Sequence, residues 1–541
     1  MNRPPATRQQ STHEVINQPD FPLARDLWTS DIALREHCRH AGANTEHLAS
    51  YGLRIGSAEM FAAGRAANRH TPELVTFDRA GRRLDEVHFH PSYHQLLQTG
   101  LSSGYAALPW EGAKGGHASH AAMVYLTSQV EPGVCCPMTM TYAAVPALAT
   151  DPKLFAKWVP KLTARLHDPS IKPLARKAAA TLGMAMTEKQ GGSDVRANAT
   201  TATRDENHYI LRGHKWFCSA PMSDGFLTLA QAPDGLTCFL VPRWLDDARN
   251  TIQIARLKDK LGNRANASAE IEYHDALAWR LGEEGEGVKT IIEMVHHTRL
   301  DTALAPAGLM RAALSEAHHW ASHRTAFQRQ LIDQPMMRTV LADLALDAEG
   351  TLALGLHIAR AFDGKSANDR AFARIGVALA KYLGNKLCPN LIYEAMEAMG
   401  GTGYTDDTPL PMLYREAPLN SIWEGSGNII CLDVLRSLSR DPQAADALSR
   451  ELTAASGGDP RFDAALKAHM TRWPHPAPES EARWYVESLA TLLTASVLIR
   501  HAPAPIAEAY TATRALGQRG RTAGAISGID TAAILARIGQ L

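Results

Sequence analysis

The sequence predicts a mainly α-helical chain with one compact antiparallel β domain at its centre. Apolar residues recur at helical spacing away from the middle of the chain, with Ile375, Leu379, Leu383 and Leu387 as the clearest stripe. Between Tyr209 and Tyr273 the pattern changes to short apolar runs parted by turn residues such as Pro233-Asp234-Gly235. The 541 residues leave room for three or four domains.

Residues 1–181 read as a helical domain. Ala58–Ala67 and Ala121–Gln129 are rich in helix formers, and Met138–Ala149 is an uncharged apolar run that Pro146 must kink or end. The β domain follows at 182–283, with runs at Phe226–Ala230, Cys238–Val241, Ile252–Ala255 and Ala269–Tyr273. A helical bundle is expected over 284–440, where Leu341, Leu344 and Ala345 repeat the stripe and Gly400-Gly401 stops a helix. Breakers at Gly457–Pro460 and Pro474–Pro478 punctuate a helical extension over 441–541, with segments such as Ala482–Ile499 and Ile506–Leu516.

Composition excludes several classes. Lysine and arginine (56) balance aspartate and glutamate (56), so there is no global pull toward nucleic acid or acidic membranes. The polar stretch Met1–Phe21 lacks the apolar core of a secretory signal, and Leu489–Ile499 is too short to span a bilayer, which needs ~20 residues. Seven cysteines without a Cys-x-x-Cys fit a reducing, cytoplasmic setting better than a disulfide framework or zinc ribbon.

Three segments point to chemistry. Met186–Asp194, M-T-E-K-Q-G-G-S-D, opens the β domain with two glycines that let backbone approach a ligand. It is neither a Walker A loop nor a dinucleotide fingerprint. Lys215–Ser219 places aromatics and a hydroxyl on a strand. Ile422–Ile429, I-W-E-G-S-G-N-I, sets one carboxylate, Glu424, between Trp423 and Gly425. Buried there, its pKa rises and it suits proton abstraction.

Together, and in this order, these segments resemble the acyl-CoA dehydrogenase family. Leu261–Arg264, Arg324–Phe327 and Gly400–Tyr404 extend the resemblance over about residues 120–440. The runs Gly183–Asp194 and Asn420–Asn428 are similar to its AidB-type branch, flavin-containing proteins of the bacterial adaptive response to DNA alkylation. The resemblance implies an acyl-CoA dehydrogenase-like fold plus the C-terminal helical extension, FAD as cofactor, an acyl-CoA substrate, and a homotetramer built as a dimer of dimers. It implies an electron-transfer flavoprotein or oxygen as electron acceptor. It makes Glu424 the catalytic base. It places Thr187 at the pyrimidine edge of the flavin and Ser193 at its pyrophosphate, with Met184 and Gly192 lining the same loop. Phe217, Cys218 and Ser219 take the ring-packing strand, and Trp423, Gly425 and Asn428 approach the cofactor. Arg324 is expected to reach the pyrophosphate of a neighbouring subunit's flavin, because a guanidinium donates two parallel hydrogen bonds to phosphate.

The sequence departs from the family pattern at Lys189 (usually Pro), Gln328 (usually Gly), Glu397 (usually Gln) and Trp423 (usually Tyr or Phe). These changes leave the base and the flavin hydroxyls in place and argue against efficient long-chain turnover.

The same branch is associated with double-stranded DNA binding through its C-terminal region. Residues 441–541 hold ten basic and ten acidic side chains, but 509–541 hold four arginines against one acid, a net +3. Arg514, Arg519 and Arg521 are the expected DNA contacts. The alternative function is thus a DNA-binding stress-response flavoprotein with weak dehydrogenase activity. No metal site is expected: His88, His90 and His94 lack a fourth ligand, and Pro91 starts a helix.

Overall fold

The computed structural model describes residues 6–539. Its first region is mostly helical: α1 (Ile32–Ala41), α2 (Thr45–Ile55), α3 (Ala58–Arg69), α4 (Pro91–Ser102), α5 (Gly116–Ser128), α6 (Cys135–Ala143), α7 (Val145–Leu148) and α8 (Pro152–Leu162). The apolar run at Met138–Ala149 breaks between α6 and α7 at Ala144, two residues before Pro146. Every residue of α5 and α6 is buried, because both helices lie in the middle of the fold. One feature departs from the helical expectation. The strands β1 (Glu73–Phe77) and β2 (Arg83–His88) form an antiparallel hairpin.

The β domain contains β3 (Leu182–Ala185), β4 (Thr201–Asp205), β5 (His208–Ser219), β6 (Gly225–Ala232), β7 (Gly235–Pro242), β8 (Ile252–Leu257) and β9 (Ser268–Leu281). The order β6-β4-β5-β9-β7 closes on itself because β7 also pairs with β6. Most pairings are antiparallel, but β6 runs parallel to β3, with Met184 beside Leu227, and to β4, with Thr201 beside Gln231. The domain has its own core of Phe226, Phe239, Ile271 and their neighbours. Between Lys215 and Cys218, β5 carries one more residue than its partner β9. This bulge lets both of those side chains point inward while Phe217 points out, 44% exposed.

Three long helices follow: α9 (Gly287–His323), α10 (Pro335–Asp363) and α11 (Ala367–Ala398), with the short strands β10 (Thr325–Ala326) and β11 (Arg329–Gln330) between the first two. They pack on one another, and α5 packs against α9 and α10. The chain continues through α12 (Leu410–Glu416), α13 (Gly427–Arg440), α14 (Pro442–Thr453), α15 (Pro460–Arg472), α16 (Ala482–His501), α17 (Ala504–Tyr510) and α18 (Thr531–Ala536). Helix α16 packs on both α10 and α11, so the extension adds a layer to the bundle. Among the described residues, no helix is long and apolar enough to cross a membrane. All seven cysteines are buried and unpaired.

The arginines at the C-terminal end have partners on α10. Arg514 meets Asp343 at 2.5 Å and Asp347 at 2.9 Å, with its own side chain 6% exposed. Arg519 lies 3.6 Å from Asp343, and Arg537 is 2.7 Å from both Glu349 and Glu36. The Gly524 amide donates to Asp343 at 2.8 Å. The positive excess of the tail is therefore spent on an acidic row of α10. This corrects the expected DNA contacts: Arg514 is a buried structural ion, Arg519 is its satellite, and only Arg521 of the three is exposed.

Candidate active site

A cavity of about 60 Å³ lies where α5, α6, α9, the β domain and the 416–424 segment meet. Met184 and Ser219 enter from the β domain, and Trp423 and Glu424 from the loop before α13. Four residues of α9 face it: Thr298, Asp301, Thr302 and Ala305, all on one side of the helix. Cys135, Cys136, Thr139 and Met140 form the wall from α6.

Glu424 sits in the left-handed region, φ 55°, which only a few per cent of non-glycine residues adopt. The next residue, Gly425, has φ 94°. The surroundings fix this bend. Lys381 Nζ, itself buried, donates to the carbonyls of Asn420 and Gly425 at 2.9 Å each. Arg299 Nε donates to the Glu424 carbonyl at 3.3 Å and is anchored to Asp433 at 2.6 Å. The Trp423 indole donates to Asn420 Oδ1 at 2.8 Å, and Thr298 Oγ1 donates to Glu424 Oε2 at 2.6 Å. Burial pushes the Glu424 carboxyl above the usual range, against smaller lowering effects from Thr298, Lys381 and Arg299.

The far wall of the cavity is polar. His120 Nε2 meets Asp301 Oδ1 at 2.7 Å, and both Thr139 and Tyr105 donate to the other oxygen of Asp301. Glu416 accepts the Asn263 amide, and burial raises its carboxyl to about 7. Behind it, burial and then the Glu416 charge raise Glu131 to about 7 as well.

The 186–194 loop is held from beneath. Glu188 and Lys215 form a fully buried ion pair at 2.6 Å. Glu188 also accepts the amides of Ala199 and Thr200, and Lys215 donates to the Leu229 carbonyl at 2.7 Å. Burial alone would raise the Glu188 carboxyl; Lys215 and these donors outweigh it and hold the group at about 2. The Trp216 amide donates to the Thr187 carbonyl at 2.7 Å, which seats the loop on β5. A Cβ on Gly192 would lie 2.9 Å from the Thr187 side chain, so glycine is what lets the loop fold over that residue. Lys215→Met removes the one cation facing Glu188. It is expected to destabilise the fold by about 3–5 kcal/mol and to release the loop. Denaturant unfolding and limited proteolysis within 186–194 read these two effects.

Met184, Ser219, Trp423 and Glu424 thus line one cavity. Thr187, Gly192 and Ser193 sit on the adjoining loop, with Ser193 exposed. The Cys218 side chain points instead into the β core with no exposure, so only its backbone is available to a ligand. Asn428 is exposed in the first turn of α13. Arg324 lies elsewhere. It donates to the Asn17 carbonyl at 2.8 Å and borders a second hollow of about 630 Å³, beside Glu397 and Gly400–Thr402. Sequence reasoning missed Thr298, Asp301, Arg299 and Lys381. The available signal was polar residues spaced three and four apart on otherwise apolar helices.

Comparison with known proteins assigns the regions that build this cavity. Residues 183–276 match the acyl-CoA dehydrogenase middle domain, and 285–439 match the acyl-CoA dehydrogenase C-terminal domain. Residues 17–169 match the adaptive response protein AidB N-terminal domain. AidB of Escherichia coli (strain K12) is 44% identical over 508 residues, 92% of this chain and 94% of that protein. The chain belongs to the acyl-CoA dehydrogenase family, in its AidB-type branch. Acyl-CoA dehydrogenase family member 11 of Caenorhabditis elegans is 34% identical over 448 residues, 78% of this chain and 71% of that one. The solved structure of Caenorhabditis elegans ACDH-11 in complex with C11-CoA superposes with a TM-score of 0.83 at 27% identity, covering 94% of this chain and 93% of that chain. Family membership makes the chain an oxidoreductase of acyl-CoA dehydrogenase type.

Proposed function

We propose that the chain oxidises an acyl-CoA thioester with FAD, Glu424 taking the proton from the α carbon. The observation that carries this is one carboxylate at the wall of a cavity, fixed by Thr298 and sharing that cavity with Met184 and Ser219 of the β domain. The residues present fit a flavin. Phe217 leaves an aromatic face 44% exposed, and a seated loop presents Thr187 and Ser193 beside it. Thr187, Ser193 and Ser219 would hold the ring edge, pyrophosphate and reactive centre, with Met184, Gly192, Gly425 and Asn428 around them. FAD supplies the acceptor for the electron pair that leaves the β carbon.

The chain's own residues supply position and proton transfer. Lys381 and Arg299 hold the loop backbone, so Glu424 meets the substrate without reorganising. Thr298 keeps the carboxylate in one orientation until it accepts the proton. Burial raises its affinity for that proton and so favours the transfer. The C11-CoA complex of the Caenorhabditis elegans relative supports an acyl-CoA as the substrate class. Arg324 and the hollow beside Gly400–Thr402 would serve the flavin of a neighbouring subunit in a homotetramer, covering Phe327 and Tyr404, which are 93% and 82% exposed. The electrons would then pass to an electron-transfer flavoprotein or oxygen in the cytoplasm. The DNA-binding reading gains no support from the tail, whose arginines are largely paired internally.

A pH profile tests the base. Glu424 acts only when ionised, and its pKa is raised, so the base form is lost at acidic pH and gained as pH rises through that raised value. Stopped-flow flavin reduction by a saturating acyl-CoA is expected to accelerate from pH 5 to pH 8. A rate independent of pH would remove Glu424 as the titrating base.

A further inference from the structure

Three histidines from distant parts of the chain meet away from the Glu424 cavity. His40 lies in the last turn of α1, His357 on α10, and His501 ends α16. One ring nitrogen from each lies within 4.8 Å of the others, the one such group among the described residues. His88, His90 and His94 do not gather. His90 caps α4 through the Ser92 amide, and His94 pairs with His167 at 3.0 Å.

The cluster has the parts of a transition-metal site. His40 Nε2 and His357 Nδ1 are 3.3 Å apart. Two nitrogens bound tetrahedrally at ~2.0–2.1 Å from zinc stand about 3.3–3.4 Å from each other. The second nitrogen of His357, Nε2, meets Glu451 Oε2 at 2.9 Å, and Arg500 donates to the same oxygen at 2.8 Å. A carboxylate on the far nitrogen fixes the tautomer and leaves the near nitrogen a lone pair for a metal. His501 Nε2 is buried and has no hydrogen-bond partner. His40 and His501 also lie at helix C-termini, whose partial negative charge favours a cation.

Two features shape the site further. The His40 and His501 rings stack with centroids 3.4 Å apart, so His501 must turn out of the stack to present its nitrogen. Its place as the last residue of α16, before extended Ala502, gives it that freedom. The nearby charges include Arg360, Arg500 and His37 as well as Glu451, so attraction comes from nitrogen lone pairs and not from net negative charge. That selects an imidazole-preferring ion such as Zn²⁺, Ni²⁺ or Co²⁺ over Mg²⁺ or Ca²⁺.

We propose that His40, His357 and His501 bind one Zn²⁺-class ion, with water as fourth ligand, tying the C-terminal extension to the N-terminal helices and the bundle. The test is calorimetric titration of chelator-treated full-length protein with ZnCl₂, with Co²⁺ absorption in the visible as a second reading. One Zn²⁺ per chain is expected, with tetrahedral Co²⁺ bands and a higher Tm when zinc is present. His357→Ala is expected to abolish the binding. Glu451→Gln is expected to weaken it about 10- to 100-fold while keeping all three ligands. His501→Asn, a milder change beside the helix end, is expected to remove the Co²⁺ bands with the far-ultraviolet circular dichroism unchanged. His94→Gln serves as a control with no effect. Absence of stoichiometric Zn²⁺ binding by the wild-type chain would overturn the proposal. Binding unaltered in both His501→Asn and Glu451→Gln would overturn it equally.

Discussion

Glu424→Gln is expected to keep its flavin and lose about 10²–10⁴-fold in the rate of flavin reduction by acyl-CoA. Glutamine matches the carboxylate in shape, and its amide NH₂ or carbonyl can still meet Thr298 Oγ1, now 2.6 Å from Glu424 Oε2. The loop is held mainly through backbone atoms, by Lys381 on Asn420 and Gly425 and by Arg299 on residue 424 itself, so its bend survives the substitution. What disappears is the group that accepts the α proton. Flavin content and the oxidised spectrum separate loss of chemistry from loss of cofactor. Unchanged reduction kinetics in a flavin-replete variant would remove Glu424 from the mechanism.

Arg514→Ala is expected to destabilise the protein by about 3 kcal/mol or more, far beyond a surface arginine. Asp343 is fully buried and Asp347 nearly so, and Arg514 is the closest cation to both. Arg519, at 3.6 and 3.9 Å from the same two carboxylates, compensates only in part. The Gly524 amide shares Asp343, so the segment that includes α18 should loosen along with it. Chemical denaturation gives the stability change, and hydrogen exchange over 511–539 locates it. Arg521→Ala, an exposed position, is expected to stay within about 0.5 kcal/mol of the parent. If both variants unfold alike, the buried ion-pair account of Arg514 fails.

These two predictions also mark what a sequence does and does not disclose. The Glu424 motif was legible because base, glycine and flanking aromatic are contiguous. The supports of that base were not: Thr298 and Lys381 come from α9 and α11, 126 and 43 residues away by number, and meet the loop only when the bundle packs. The arginine excess near the C-terminus is legible as charge, but its acidic partners on α10 read as an ordinary helix, so sequence alone points that charge outward to DNA. Sequence alone groups Cys218 with its neighbours as one contiguous motif. The bulge in β5 and the strand pleat instead turn Phe217 outward and Cys218 into the core. The parallel pairing of β3 with β6 and the early β1–β2 hairpin arise from tertiary contacts that short apolar runs do not encode. The histidine cluster joins positions 40, 357 and 501, a spacing no local pattern can reveal.

The most direct test of the central claim is an anaerobic titration of the flavin-loaded wild-type protein with a panel of short, branched and long acyl-CoA thioesters. Flavin absorbance is followed, with Glu424→Gln run in parallel. The account predicts loss of the oxidised flavin bands with at least one thioester, saturating at a fixed ratio to flavin, and no loss in the variant. A wild-type spectrum untouched by the whole panel, or equal bleaching in both proteins, would contradict it.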